Sequence, residues 1–88
     1  MKNTREERII KLLEPLAAQV IEVVNDSARH SGHAGDNGTG ETHYILKIRA
    51  AVFAGKSRVE CQRMVYALLM PEFSSGLHAL SLEIKTVD

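Results

Sequence analysis

Thr42-His43-Tyr44-Ile45-Leu46-Lys47-Ile48-Arg49-Ala50 alternates by twos. Tyr44, Leu46 and Ile48 fall on one side, and His43, Ile45, Lys47 and Arg49 on the other. That period predicts a strand with one buried face, and every other element is placed against it. Upstream, residues 26–41 carry Gly32, Gly35, Gly38 and Gly40 and no bulky apolar side chain. Such a segment has nothing to bury, so it reads as an exposed, flexible loop, and it is long for a hairpin connection. Before it, Ala17 to Asn25 holds Val20, Ile21, Val23 and Val24, a β-branched cluster that predicts a strand antiparallel to the first. Thr4-x-x-Glu7, overlapped by Asn3-x-x-Glu6, has the form of a capping box. The stripe Ile9, Ile10, Leu12, Leu13 then predicts a short amphipathic helix, which Pro15 ends at Glu14.

Downstream, Val52-Phe53-Ala54-Gly55 reads as a tight connector. Ser57-x-x-Glu60 is a second capping box, opening a helix from Arg58 to Met70 that Pro71 is expected to end. Cys61, Val65, Leu68 and Leu69, with Met64 beside them, form its buried face. After Ser74-Ser75-Gly76, the stretch Leu77 to Ile84 sets Leu80, Leu82 and Ile84 against Ser81, Glu83 and Lys85, a third strand. A strand-to-strand passage through a helix returns parallel and right-handed. The second and third strands should therefore pair in parallel, with the first strand antiparallel on the other side and both helices on one face. The expected fold is α/β, a three-stranded mixed sheet in the order αββααβ.

The 88 residues are enough for one domain, 1–88. Apolar residues make up 44% of the chain but aromatics only 5%, so aliphatic side chains must fill the interior. Eleven basic and eleven acidic side chains cancel. That balance argues against a dedicated nucleic-acid binder, whose non-specific affinity comes from a surplus of cations. Cys61 is the only cysteine, so no disulfide forms within the chain. With no signal-like run and no stretch of the ~20 apolar residues a membrane span needs, a reducing, cytoplasmic location is expected, away from membranes.

Four histidines are the unusual feature of this composition. His30 and His33 stand three apart in the glycine-rich loop, His43 opens the second strand, and His78 opens the third. Parallel pairing puts His43 and His78 near one edge of the sheet, the edge from which the loop hangs. A loop histidine and His78 can therefore meet without disturbing the core. Neutral imidazole is a competent ligand for iron, zinc or copper. Two or three histidines without a Cys-x-x-Cys do not, however, make the closed four-ligand shell of a structural zinc site. His43 itself reads as a packing and hydrogen-bonding residue.

Three stretches resemble the BolA family: Gly40-Glu41-Thr42-His43-Tyr44, Arg63-Met64-Val65-Tyr66 and Gly76-Leu77-His78-Ala79-Leu80. The resemblance runs from the first helix to the last strand. It implies the BolA-like fold, which is similar to the second class of KH domain. It also implies a partner, a monothiol glutaredoxin, with which such proteins share a bridging [2Fe–2S] cluster. The glutaredoxin brings its cysteine and a bound glutathione thiolate. The BolA-like chain brings the histidine of its third-strand motif, here His78, and a cysteine or histidine from the loop. This loop has no cysteine, which makes it the histidine-loop type. His30 follows Arg29, as in the family's common Arg-His arrangement, whereas His33 lies in an added Gly-His-Ala-Gly-Asp-Asn stretch, and both stand as candidates for the second ligand. Imidazole in place of thiolate lowers the negative charge on a cluster, raises its potential and ties ligation to pH. The role implied is an adaptor for iron–sulfur trafficking or maturation, delivering to apo iron–sulfur proteins, or for iron sensing. The chain is expected to be a monomer when alone.

Other classes fare less well. Cys61 near the start of a helix invites a redox reading, but its place in the apolar stripe makes it a small buried hydrophobe. No second thiol, Ser-His-Asp set or converging pair of acids appears, so no enzyme is expected. The rival reading is a DNA-binding transcriptional regulator, with Lys47, Arg49, Lys56, Arg58 and Arg63 as a basic face. Against it, Gly32-x-x-Gly35 lies between strands rather than between helices, where a KH clamp needs it. Relatives often carry Arg-His-Arg where this chain has Cys61-Gln62-Arg63.

Overall fold

The computed structural model describes residues 4–27 and 42–86. The first helix, α1, spans Arg5–Leu12 and begins where Thr4 Oγ1 accepts from the Glu7 amide at 3.2 Å. The return arm of the capping box goes to the Thr4 hydroxyl, which donates to Glu7 Oε1 at 3.3 Å, rather than to the backbone. Asn3, the cap of the overlapping box, lies outside the described residues. Pro15 occupies the first positions of a 3-10 turn, Glu14–Leu16, closed by Ala17 in the left-handed region (φ 49°). Strand β1 therefore starts later than the expected Ala17, at Val20, the first residue of the β-branched cluster, and runs to Asn25.

Strand β2 spans His43–Arg49 and β3 spans Ala79–Lys85. The sheet order is β1-β2-β3, with β1 antiparallel to β2 (Val23 opposite Leu46) and β3 parallel to β2 (Leu46 opposite Leu82). The crossover between β2 and β3 passes through a 3-10 turn at Ala51–Phe53 and helix α2, Arg58–Ser74. Its N-terminus carries a complete capping box: Ser57 Oγ accepts from the Glu60 amide, and Glu60 Oε1 accepts from the Ser57 amide.

The core lies between the helices and one face of the sheet. Ile9 and Leu13 from the first helical segment, Leu46 and Ile48 from β2, and Val65 and Leu69 from α2 are essentially inaccessible to solvent. Each such aliphatic side chain contributes about 1.5–3 kcal/mol through burial. Cys61 is buried among them, with Sγ 3.9 Å from the Phe53 carbonyl, in keeping with a core role. The alternation holds in β3 and in most of β2: Tyr44, Leu46, Ile48 and Leu80 face the helices, while Lys47, Arg49, Ser81, Glu83 and Lys85 face solvent. His43, expected on the solvent side, is buried, and Ile45 is half-buried.

One boundary is corrected. Helix α2 does not stop at Met70 but continues through Pro71 to Ser74. Proline forfeits one helical hydrogen bond, and tertiary anchors beyond it offset that loss. Glu72 is buried against α1, where Arg5 Nη1 donates to its carboxylate at 2.9 Å and Arg8 Nε donates to both oxygens at 3.0 and 3.1 Å. Arg5 also donates to the Glu72 carbonyl and to Ser75 Oγ. Phe73 packs on Tyr66, ring centroids 5.4 Å apart.

Candidate functional site at the mouth of β3

The end of α2 determines how His78 is displayed. Glu72 carbonyl accepts from both Ser75 N (3.1 Å) and Leu77 N (2.9 Å). The chain reverses through Gly76 at φ 123°, a region where a side chain is strained. Leu77 then enters the core at 3% exposure, which turns His78 outward to solvent. The His78 and Ala79 amides both donate to the Thr42 carbonyl, at 2.8 and 3.1 Å. That shared acceptor fastens the start of β3 beside the start of β2.

His43 is the neighbour this creates. It stands opposite Ala79 in the register, and its ring centroid lies 5.3 Å from that of His78, the planes tilted by 52°. Unlike His78 it is buried, and its Nδ1 is hydrogen-bonded to Thr42 Oγ1 at 2.8 Å. A ring held by one nitrogen has a fixed orientation, which suits the packing role read from sequence.

Beneath the two rings sits a hub. Ser27 Oγ accepts from the Thr42 amide (2.9 Å) and the His43 amide (3.0 Å) and donates to the His43 carbonyl (3.3 Å). Asp26 N donates to the same carbonyl at 2.8 Å, and Asn25 Oδ1 accepts from Ser27 N. The residues on either side of segment 28–41 are thus joined at the edge that carries His43 and His78. Asp26 and Ser27, expected at the start of the loop, belong to this hub, whereas His30 and His33 lie outside the described residues with the rest of 28–41. Sequence reasoning missed Ser27; an Asn25-Asp26-Ser27 run after a strand was the available signal for a local turn.

Among the described residues, no group of three or more histidines, cysteines or acids is placed to hold a metal. These residues offer exposed imidazole and no thiolate. They fit a site that takes its remaining ligands from elsewhere, not a closed one. The five basic residues of the rival reading are not brought to one face. Lys47 and Arg49 stand on the solvent face of β2, away from the helices, with Lys47 Nζ 3.9 Å from Glu83. Arg58 and Arg63 belong to α2, which covers the opposite face, and Lys56 precedes it. Among the described residues no helix is long and apolar enough to cross a membrane.

A two-layer α/β domain with a mixed three-stranded sheet, displaying one imidazole at the mouth of its parallel edge strand, is the class these features define. The family described as BolA-like protein matches residues 12–88. The chain is 46% identical over 82 residues to the UV-induced protein uvi31 of Schizosaccharomyces pombe, an alignment covering 89% of this chain and 80% of that one. Among solved structures, the BolA domain of SufE1 from Arabidopsis thaliana superposes with a TM-score of 0.84 at 42% identity, covering 98% of this chain and 95% of that one. BolA1 from the same plant gives 0.81 at 38% identity, with coverages of 98% and 94%. The chain belongs to the BolA family.

Proposed function

We propose that this protein is a non-enzymatic adaptor that pairs with a monothiol glutaredoxin and completes a [2Fe–2S] cluster shared between them, for iron–sulfur trafficking or maturation or for iron sensing. His78 is one ligand, and a histidine of segment 28–41, His30 or His33, is the second. The glutaredoxin cysteine and glutathione supply the thiolates. The observation that carries this reading is the display of His78: outward-facing, fastened by its own amide, at the edge where residues 27 and 42 join. Only three positions separate His30 from Ser27, which limits its distance from this edge to about 11 Å of chain. When bound, the cluster supplies an electron-accepting, transferable iron–sulfur unit. This chain's own residues orient one imidazole, through the Thr42 carbonyl and the Gly76 turn, and set His43 beside it. Two ligands from each protein hold the cluster only while the pair is docked, which suits transfer or sensing.

The test is anaerobic cluster assembly with a monothiol glutaredoxin and glutathione, followed by visible absorption and circular dichroism. The wild type should give a heterodimer spectrum distinct from that of the glutaredoxin alone. His78→Ala should abolish it, and of His30→Ala and His33→Ala one should. A glutaredoxin spectrum unchanged by every variant would sink cluster sharing and leave docking without iron.

A further inference from the structure

Strand β3 is one of the two edge strands of the sheet, and its outer side faces a groove of about 530 Å³ beside the N-terminal half of α2. Five consecutive residues, Leu82 to Thr86, line that groove. Successive strand side chains point to opposite faces, so a lining of consecutive residues means the groove runs along the edge and sees backbone. The ladder says which backbone. Ala79 N donates to Thr42 and Lys85 O accepts from Ala50, so the odd-numbered residues bond inward to β2. In a parallel pair the residues between them point their N–H and C=O outward. Leu80 C=O is indeed taken on the outer side, by the Tyr66 hydroxyl at 3.2 Å. Beyond it, the outward N–H and C=O of Leu82 and Ile84 have no partner among the described residues. The floor is apolar, made by Phe53 and the half-buried Leu82 and Ile84. The rim carries Lys56, Arg58 and Lys85, all exposed, against the single acid Glu83, which already lies near Lys47.

We infer that this edge is a docking site for an extended acidic peptide segment of a partner protein, which adds to the sheet as a fourth strand beside β3. Donors and acceptors alternate along Leu82 and Ile84, and another peptide backbone supplies both in the matching order. A nucleic-acid backbone offers acceptors but no N–H for the two carbonyls. Three cations to one acid select carboxylates on the incoming strand. The site is separate from the histidine edge, since seven residues of strand place Lys85 roughly 23 Å from His78.

Amide hydrogen exchange by NMR tests this on the whole chain, using an eight-residue peptide that alternates Val and Glu and a Val–Lys counterpart. In the free protein, Leu82 and Ile84 should exchange fast while Ser81 and Glu83 are protected. Saturating Val–Glu peptide should slow Leu82 and Ile84 at least about tenfold, and Val–Lys peptide should not. The Lys56→Glu, Arg58→Glu, Lys85→Glu variant should reverse that preference. The inference is overturned if both peptides act alike or neither acts. Protection that rises with protein concentration alone would mean that copies of this chain pair there instead. Protection by single-stranded oligothymidine but not by peptide would make the groove a nucleic-acid site.

Discussion

Two buried polar clusters hold this molecule together, and they differ in kind. Between the helices, the Glu72 carboxylate is flanked by Arg5, 67 residues away in sequence, and by Arg8. At the sheet edge, the Ser27 hydroxyl gathers the Thr42 and His43 amides and the His43 carbonyl through uncharged groups. The first cluster seats α1 on α2 and is long-range and ionic. The second fixes where β2 begins and presents the histidine edge, using neutral hydrogen bonds to backbone. Burial makes the ionic cluster costly to break, because losing the Glu72 carboxylate takes a shared acceptor from both Arg5 and Arg8. The neutral cluster matters less for stability and more for where two imidazoles stand.

Breaking the ionic cluster should have the largest effect. Glu72→Ala leaves Arg5, 4% exposed, without its carboxylate, and should cost about 3–5 kcal/mol in urea unfolding. The histidine edge should be spared, because the Glu72 backbone carbonyl that anchors Leu77 remains. Replacing Arg5 and Glu72 together by Met and Leu should recover most of the loss, since the fully buried pair is then gone and Arg8, 30% exposed, keeps access to water. A loss below about 1 kcal/mol in the single variant would rank this cluster with exposed ion pairs and erase the contrast.

Ser27→Ala is the matching experiment at the sheet edge. It deprives the Thr42 and His43 amides of their shared acceptor, and should cost about 1–3 kcal/mol. The diagnostic difference is where the damage shows. Imidazole signals of His43 and His78 should shift in this variant and stay in place in Glu72→Ala. Shifts of equal size in both would mean that the two clusters act as one network.

This contrast also explains what the sequence made legible. Strands β2 and β3 were readable because one buried face imposes a period of two on Tyr44, Leu46, Ile48 and on Leu80, Leu82, Ile84. The capping box of Ser57 and Glu60 is local and was equally plain. His78 could be singled out because it opens a strand whose pairing follows from the crossover rule. The ionic cluster was invisible: Arg5, Arg8 and Glu72 look like ordinary solvated helix charges, and only the packing of α1 on α2 buries them. The same packing carries α2 past Pro71, so a local rule about proline misplaced the helix end. The pairing of His43 with His78 was legible only as shared edge, since ring contact depends on the Gly76 turn and the Thr42 carbonyl.

A smaller perturbation is available where the Tyr66 hydroxyl of α2 reaches the Leu80 carbonyl of β3. Tyr66→Phe removes only that hydroxyl and keeps the ring contact with Phe73. A typical hydrogen bond of this kind contributes about 0.5–1.5 kcal/mol, but Tyr66 is 36% exposed and Leu80 C=O faces the open edge of the sheet. Water can replace the lost donor there, which it cannot do at Ser27 or Glu72, so the loss should fall near about 0.5 kcal/mol. Comparison of urea midpoints for Tyr66→Phe, Ser27→Ala and Glu72→Ala should therefore rank them by access to solvent. A Tyr66→Phe loss as large as that of Ser27→Ala would show that solvent access is not what separates them, and that the outer edge of β3 is drier than its open groove implies.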